Sequence, residues 1–372
     1  MSRPTGESPF PEGPTTAERP LAPATAETPE ARVGLVRRIR AFLARHHQKL
    51  WWLHSAYAMA LGAFVVTFAT KGIAYVRWLL LFVVAAWLII VAVFRVAGSG
   101  RDQKLSTPRE KVRFLLMTYV LKNLYQGMLF FLLPFYWKAS TSGTATAWFV
   151  AALVACTFLA TLDVVFDRVL MRWRLLASLY YGMALFACLN LAIPALVRMP
   201  AVLSLCLAGA GATVGFWTLH FGPRPLRRPR VAAVFFASIF VVTGVVYAGR
   251  RVVPPVPLTL AAAAVGPEVL ADGRLSLEVT ALHESLMHQM IAVTDVQTLA
   301  DSGEEFVHVW RHFDREIWRL VPARQLVGPD RVRLRSTLLR ELLPRQRAGP
   351  WTVDVETEHG QLVGRFGFMV KD

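Results

Sequence analysis

The chain carries two kinds of hydrophobic pattern. Up to about residue 248 the apolar residues are gathered in long runs, whereas beyond residue 269 they alternate with polar residues. A run of about 18 or more apolar residues can cross a bilayer core of roughly 30 Å as a helix. Alternation with a period of two predicts strands that bury one face. The pattern therefore predicts an α-helical membrane bundle followed by a small all-β, sandwich-like soluble domain.

Seven apolar runs predict seven transmembrane helices within residues 51–248. Charged residues, Pro or Gly bound most of the runs, and aromatic residues collect near several ends, as is typical of the headgroup level. The predicted spans are 51–70, 73–94, 114–136, 145–162, 175–197, 200–219 and 231–248.

Two segments precede the first span. Residues 1–31 are rich in Pro, Thr, Ala and Glu and predict a disordered tail; they lack the apolar core of a signal peptide. Residues 32–50 place apolar side chains on one helical face and Arg on the others, which is typical of a basic amphipathic helix at the membrane surface. An extension of the first span fits the same residues equally well.

Positive charge alternates from loop to loop. Arg and Lys cluster before the first span and after the second, fourth and sixth, whereas the other loops hold only Lys71, Lys138 and Arg198. Because loops rich in Arg and Lys stay in the cytoplasm, this pattern predicts a cytoplasmic N-terminus. After seven crossings the C-terminal domain would lie in the periplasm of a bacterium, and the chain in the inner membrane.

The C-terminal residues 269–372 predict the β-sandwich. Val353 and Val355 alternate with polar neighbours, and apolar residues from Leu362 to Val370 share one side of a last strand. Turn signals occur at Asp272-Gly273, Ser302-Gly303, Gly349-Pro350 and His359-Gly360. Residues 249–268, which include a Pro-rich stretch, are predicted to form a linker.

A family resemblance rests on three C-terminal stretches. They read His308-Val-Trp-Arg-His312, Trp351-Thr-Val-Asp-Val355 and Gly360-Gln-Leu-Val-Gly-Arg-Phe366. This segment resembles a bacterial domain of unknown function, number twenty-nine fourteen, and the membrane part looks like the uncharacterised multi-pass region that often precedes it. The resemblance implies a fold and a topology but no chemistry. Its motif falls on His308, Trp310, Arg311, His312, Trp351, Gly360 and Gly364.

The chain departs from this family pattern in two places. Relatives tend to have an Asn-Gly turn after the second histidine, where this chain has Phe313-Asp314. Relatives also tend to have Trp and Lys around an Arg-Ser stretch, where this chain has Arg335 and Leu338 flanking Ser336.

The net charge of +16 would suggest nucleic-acid binding in a soluble protein. Here many of the basic residues lie in short loops between apolar runs, and no zinc-finger, helix-turn-helix or RNA-binding pattern accompanies them. The three cysteines lie inside apolar runs, which indicates neither a disulfide framework nor a Cys-x-x-Cys site. No nucleotide-binding or catalytic motif is present. We expect no nucleic-acid partner and no cofactor, and these absences favour a non-enzymatic role.

Polar residues in the third and fourth predicted helices form the first candidate site. Lys122, Asn123 and Gln126 share the third span, with Lys122 about 12 Å along the helix. Ionisable groups at such depth often mark functional sites, although Lys122 can also extend to the interface or pair with Asp163. Asp163 and Asp167 share a helical face, which fits either a cation or proton site or a solvated, salt-bridged helix end.

The second candidate site is basic. Arg331, Arg333 and Arg335 alternate with apolar residues and would share the outer face of a strand. Arg suits the recognition of phosphate and carboxylate groups, so this face could bind an anionic envelope component. A solvated sheet edge protected by charge explains the same pattern.

Neither histidines nor small residues add a clear site. His308 and His312 lie on one predicted strand, which puts their Cα atoms roughly 13 Å apart, too far for one metal ion; no metal site is expected. Gly211 and Gly215 in the sixth span allow close helix packing, either within the bundle or between two copies.

These observations favour a non-enzymatic inner-membrane protein. Its bundle would anchor in the lipid bilayer and present a periplasmic β-sandwich that binds an envelope component or another envelope protein. The alternative is a small-solute or ion transporter that uses the polar cluster of the third helix. The oligomeric state stays open.

Overall fold

A computed structural model describes most of the chain beyond the second predicted span. The residues described are 85, 123, 125–162, 173–221, 224–271, 273–287, 289–298, 303–328 and 330–372. The predicted tail (1–31), the juxtamembrane helix (32–50), the span 51–70 and, apart from Ala85, the span 73–94 lie outside the described residues.

The described part of the N-terminal region is helical. Its helices are α1 (125–138), α2 (Thr146–Thr161), α3 (Arg174–Val197), α4 (Ala201–His220) and α5 (Pro229–Ala248). Proline precedes the first residue of α4 and occupies the first position of α5, where its missing N–H costs nothing. These helices correspond to the third to seventh predicted spans; α2 to α5 have similar bounds, whereas the first part of the third span lies outside the described residues.

Three of these helices are long and apolar enough to cross a membrane. The candidate spans are Leu175–Val197, Ala201–Thr218 and Pro229–Arg251. The helix α2 has only 16 residues, or about 24 Å at roughly 1.5 Å per residue, which is shorter than a bilayer core. The described residues therefore support three spans; they do not support the count of seven, two of which (51–70 and 73–94) lie almost entirely outside them.

Small residues bring α3 and α4 together. A Cβ atom on Gly211 would lie 2.6 Å from a methyl carbon of Leu189, and one on Gly215 would collide with Leu185. Both leucines belong to α3, so these two glycines serve packing within the chain, as one of the two interpretations predicted. The helix α5, in contrast, has no buried residue, and Phe240 on it is 77% exposed.

The C-terminal region is built from β-strands, as predicted. They are β1 (Thr259–Gly266), β2 (Ala281–His283), β3 (Met290–Gln297), β4 (Phe306–His312), β5 (Arg315–Leu320), β6 (Ala323–Gly328), β7 (Arg331–Leu338), β8 (Gly349–Thr357) and β9 (Leu362–Lys371). One sheet has the order β1-β3-β7-β6 and the other the order β2-β9-β8-β4-β5. All neighbours are antiparallel except β2 and β9.

The two sheets share one apolar interior. Trp310, Trp351 and Phe368 of the five-stranded sheet lie in a buried cluster with Ala292 and Leu338 of the four-stranded sheet. Burial of large aromatic side chains between two sheets is a main source of stability in such folds. The predicted sandwich-like arrangement is therefore present.

Two boundaries differ from the sequence prediction. The strand β1 lies inside residues 249–268, which are predicted as a linker from their Pro-rich stretch; the run of alanines from Ala261 to Ala264 shows no alternation and gives no strand signal. Gly349 and Pro350 begin β8 instead of forming a turn, and the φ of Gly349 is 123°.

The Pro-rich stretch of the predicted linker, residues 253–258, is buried. Val253 and Val256 are 8% and 1% exposed and belong to the buried cluster of the helical bundle, whereas Leu258 belongs to a cluster of the sandwich. The Pro-rich stretch therefore packs between the bundle and the β-domain.

Candidate functional site

Four residues of the family motif lie in the interior of the sandwich. His308 is fully buried; its Nδ1 lies 2.7 Å from Ser336 Oγ and its Nε2 lies 3.0 Å from Thr294 Oγ1. Trp310 Nε1 donates to the same Ser336 oxygen at 3.2 Å. Burial lowers the pKa of His308 to about 4, so the ring is neutral at neutral pH. His308 thus connects the two sheets through polar contacts.

The second half of this interior group is aromatic. His312 stacks on Trp351 with ring centroids 4.6 Å apart, and its Nε2 lies 3.0 Å from the carbonyl oxygen of Ala348. Trp351 is fully buried and donates from Nε1 to Arg347 O at 2.8 Å. Both histidines have partners of their own inside the core. Among the described residues, no group of three His, Cys, Asp or Glu side chains could hold a metal ion.

Arg311 of the motif lies on the other face of β4 and joins a network of ion pairs. Asp354 is 1% exposed; it accepts from Arg311 Nε at 2.8 Å and from Arg365 Nε and Nη2 at 2.5 and 2.8 Å. Glu356 lies 3.5 Å from Arg311 Nη2 and 3.0 Å from Arg319 Nη2. These five side chains come from four strands.

Glu316 completes this network at its exposed side. It accepts from Arg319 Nε at 3.0 Å, and this hydrogen bond lowers the pKa of Glu316. Three guanidinium groups thus face these three carboxylates and the exposed carboxylate of Asp314, which lies 3.4 Å from Arg365 Nη1. The outer face of the five-stranded sheet carries its own counter-charges, which leaves little attraction for an external ion.

The two glycines of the motif have backbone roles. Gly360 has a φ of 79° in the turn between β8 and β9, a conformation that glycine adopts without a steric cost. A Cβ atom on Gly364 would lie 2.7 Å from Leu260 of β1, so this glycine permits the close approach of β9 to β1.

The turn after the second histidine keeps the geometry of an Asn-Gly turn without its residues. Phe313 and Asp314 form a two-residue connection between β4 and β5, with φ of 47° and 60°. Positive φ at both central positions is required by a type I′ hairpin turn. Gly349 allows this, because a Cβ atom there would collide with the ring of Phe313.

The predicted basic strand is β7. Val332 and Leu334 are buried, whereas Arg331 and Arg335 are exposed, so the predicted alternation is present. Arg333 is less exposed and makes two bonds to Asp295 of β3, at 2.7 and 3.0 Å.

Cross-strand pairing therefore divides this arginine row. Within the described part of the chain, Arg331 and Arg335 form no ion pair. The strand β7 lies between β3 and β6, so the row is on an inner strand and not on a sheet edge. Two of the three predicted residues thus have no counter-charge among the residues that the structure describes.

The candidate cluster in the membrane region is described only in part, because Lys122, Asp163 and Asp167 lie outside the described residues. Asn123 is helical and partly exposed. Gln126 is 2% exposed, and its side-chain Oε1 and Nε2 have no hydrogen-bond partner among the described residues. A buried amide without partners costs about 1–3 kcal/mol.

The junction between bundle and sandwich contains a buried carboxylate that sequence reasoning missed. Glu304 is 3% exposed, and its Oε2 accepts a hydrogen bond of 2.6 Å from the backbone N of Ala201, the first residue of α4. Pro200 provides no side-chain cap there, and the first N–H groups of a helix need acceptors. A carboxylate also interacts favourably with the positive end of the helix dipole. Burial raises the pKa of Glu304.

A second contact joins the end of α5 to the same end of the sandwich. Arg250 Nε donates to the carbonyl oxygen of His359, in the turn between β8 and β9, at 2.6 Å. The guanidinium carbon of Arg250 also lies 4.5 Å from the centre of the Tyr247 ring. The start of one candidate span and the end of the next are thus both held by the β-domain.

Two family models match the chain. A family of unknown function, DUF5924, matches residues 32–289, and a second, described as a protein of unknown function, DUF2914, matches residues 303–370. The second match confirms the resemblance seen in the C-terminal motif. No curated protein matches the chain.

The limit between the two matches falls inside the β-sandwich. The strands β1 and β2 lie in the first matched segment, and they pair with β3 and β9 respectively. The second segment holds β4 to β8 and nearly all of β9. The two matched segments therefore contribute to one fold.

Proposed function

This chain belongs to the family of unknown function DUF5924, and on that premise we propose that it is a membrane-anchored binding protein without enzymatic activity. Its bundle would hold seven spans in a bacterial inner membrane, with the N-terminus in the cytoplasm and the β-domain in the periplasm. The β-domain would bind an anionic envelope component or another envelope protein.

The observation that carries this proposal is the junction. Glu304 caps α4, and Arg250 at the end of α5 binds the turn at His359. The side chains of Val253 and Val256 are buried in the bundle. A domain held by several short contacts keeps a fixed orientation towards the membrane. A bundle that holds the β-domain in this way suits the presentation of a binding face. It suits the gating of a transport path less well, because gating requires the bundle and the β-domain to move relative to each other.

The orientation follows from the charge of the loops and can be tested by a reporter. Alkaline phosphatase fused after Asp372 should be active in a bacterial host, because the enzyme matures only outside the cytoplasm. A reporter that is active only in the cytoplasm, fused at the same position, should stay silent. An inactive phosphatase together with an active cytoplasmic reporter would contradict both the periplasmic placement of the β-domain and the odd number of spans.

The binding face is tested by charge removal on β7. We expect the full chain, in nanodiscs of zwitterionic lipid, to bind lipopolysaccharide, and Arg331→Gln with Arg335→Gln to weaken this binding. At roughly 1 kcal/mol per basic group, the loss for two is roughly thirtyfold in affinity, and it should shrink with added salt. Arg333 is left in place because Asp295 would otherwise lose its partner.

A matched control removes the same charge elsewhere on the domain. Arg340→Gln with Arg345→Gln changes two exposed residues beyond the end of β7 and should leave the affinity nearly unchanged. Equal losses in both double variants would mean that only net charge matters. If wild-type chain ignores the polymer, the arginine row is merely solvated.

A second candidate function, transport of a small solute or ion, is favoured by Gln126. If the bundle only anchors, Gln126→Leu should raise the unfolding temperature of the full chain, because it removes a buried amide that has no hydrogen-bond partner among the described residues. If the amide binds a transported solute, the variant should instead lose solute flux in proteoliposomes. A Leu variant with unchanged stability and unchanged flux would contradict both expectations for this residue.

A further inference from the structure

The end of β6 carries apolar side chains that no described residue covers. Leu326 is 73% exposed and Val327 is 46% exposed. Leu326 pairs with Val332, which is 1% exposed. Directly paired residues of neighbouring strands share a face, so Leu326 lies on the face that elsewhere forms the core. The sheet thus extends beyond the sandwich here with its apolar side uncovered.

A bulge shapes this end of the strand. The pairing register shifts between Leu326 and Gly328, so Val327 has no partner in β7. A bulge bends the strand and re-aims side chains. Residues 326–328 with Asp330 and Arg331, which we name the β6–β7 tip, therefore lie where the pairing departs from the regular sheet and where Leu326 and Val327 are exposed.

The β6–β7 tip lies at the end of the sandwich that meets the membrane helices. Val332 belongs to the same buried cluster as Ala201, the first residue of α4. Arg324, two residues before Leu326 on the same face of β6, donates from Nη1 to the carbonyl oxygen of Glu304 at 3.3 Å. Glu304 in turn caps Ala201. The tip is thus continuous with the contact between the β-domain and a candidate span.

The charges around the tip suit a phospholipid surface. Arg324 and Arg331 are exposed on either side of Leu326 and Val327, and Asp330 is the one acidic residue of the tip. Arginines that flank apolar residues can bind headgroup phosphates while the apolar side chains enter the acyl boundary. The free edge of β6 could instead pair with a second copy, but its place beside Ala201 favours lipid.

We propose that the β6–β7 tip is a lipid-contacting element, with Leu326 and Val327 inserted at the headgroup–acyl boundary of the membrane that α4 and α5 cross. This rests on the proposed membrane placement of these helices. It adds a third point of support, lateral to the two junction contacts, and it fixes the height of the β-domain above the bilayer.

The test is photocrosslinking of the full chain in phospholipid nanodiscs that contain a fluorescent phospholipid. A photoreactive phenylalanine analogue replaces Leu326 in one variant, Leu339 in a second and Phe240 in a third. Leu339 is 50% exposed and follows the opposite end of β7, and Phe240 is exposed on α5. We expect lipid adducts from the analogues at positions 326 and 240, and no lipid adduct from the analogue at position 339.

Each other outcome overturns a stated part of the inference. A lipid adduct at position 240 without one at position 326 would contradict the contact between the tip and the membrane, and it would still support the membrane placement of α5. A protein–protein adduct at 326 would show that a second copy occupies the edge of β6. No adduct at 240 would contradict the membrane placement of α5 on which the proposed function rests. Equal yields of lipid adduct at positions 326 and 339 would show that labelling does not distinguish the two ends of the sandwich, which would contradict a specific lipid contact at the tip.

Discussion

The two outer faces of the sandwich are both rich in arginine, yet they hold it in different ways. On the five-stranded sheet, Arg311, Arg319 and Arg365 share the carboxylates of Asp354, Glu356 and Glu316. On the four-stranded sheet, Arg333 has Asp295, whereas Arg331 and Arg335 form no ion pair within the described residues. We call the outer face of the five-stranded sheet the closed face, because its own carboxylates neutralise its arginines. We call the outer face of the four-stranded sheet the open face, because two of its arginines have no counter-charge within the described residues.

The difference shows that neighbours across strands decide what an arginine can bind. The three arginines of β7 stand out in the sequence because they alternate on one strand. Those of the closed face come from β4, β5 and β9, and the sequence places them far apart. Strand register, and not local charge density, therefore separates a face that is already neutralised from a face that can attract a ligand.

The largest expected effect comes from removing the shared carboxylate of the closed face. Asp354→Asn keeps the shape of the side chain but leaves Arg311 and Arg365 without their common acceptor. Breaking a buried ion pair costs about 3 kcal/mol or more; because both arginines are partly exposed, we expect the lower end of that range. Chemical unfolding of the full chain in detergent, followed by tryptophan fluorescence, measures the loss.

The matched variant on the open face is Asp295→Asn. It deprives a single arginine of its partner, so we expect about half the loss of Asp354→Asn. If both variants lose the same stability, the shared geometry of the closed face adds nothing and the contrast between the faces disappears.

An effect between those of the two aspartate variants is expected from acid, which acts on the link between the two sheets. Burial lowers the pKa of His308 from 6.5 to about 4, so the unfolded chain binds more protons between these values. The stability due to the neutral ring is complete above about pH 6.5 and is lost as the pH falls towards 4. Between pH 7 and pH 5 the loss is about 2 kcal/mol.

The acid effect can be assigned to His308 by substitution. His308→Gln retains a donor and an acceptor but does not titrate, so its unfolding free energy should change less between pH 7 and pH 5. Glu316, whose pKa is lowered by Arg319, loses its contribution only as the pH falls below the usual range of a glutamate. A wild-type chain that is equally stable at pH 7 and pH 5 would contradict the buried, neutral state of His308.

The sequence predicts much of the fold because the relevant signals are local. Apolar runs place α3, α4 and α5 close to their observed bounds, and alternation predicts β7, β8 and β9. The turn at Gly360 and the packing of Gly211 and Gly215 also follow from residue type. The strand β1 was missed because its alanines give no alternation, and α2 is shorter than its apolar run suggests.

The candidate sites depend on contacts that no local pattern contains. Asp354 reads as a solvated residue between Val353 and Val355, and only the pairing of β8 with β4 and β9 brings Arg311 and Arg365 to it. Glu304 lies more than a hundred positions after Ala201 in the chain, and nothing near it marks a helix cap. The row of Arg331, Arg333 and Arg335 was found from alternation, but its division by Asp295 needed the register of β3.

The sharing of the sandwich between the two matched segments constrains how such chains can be rearranged by recombination. A crossover that carried only residues 303–370 to another membrane region would leave behind β1, β2 and β3. The strands β7 and β9 would then become bare edges, and uncovered edges invite aggregation. A viable exchange has to carry the strands that follow α5 as well, so the heritable unit begins directly after α5, within the first matched segment, and not at the start of the C-terminal match.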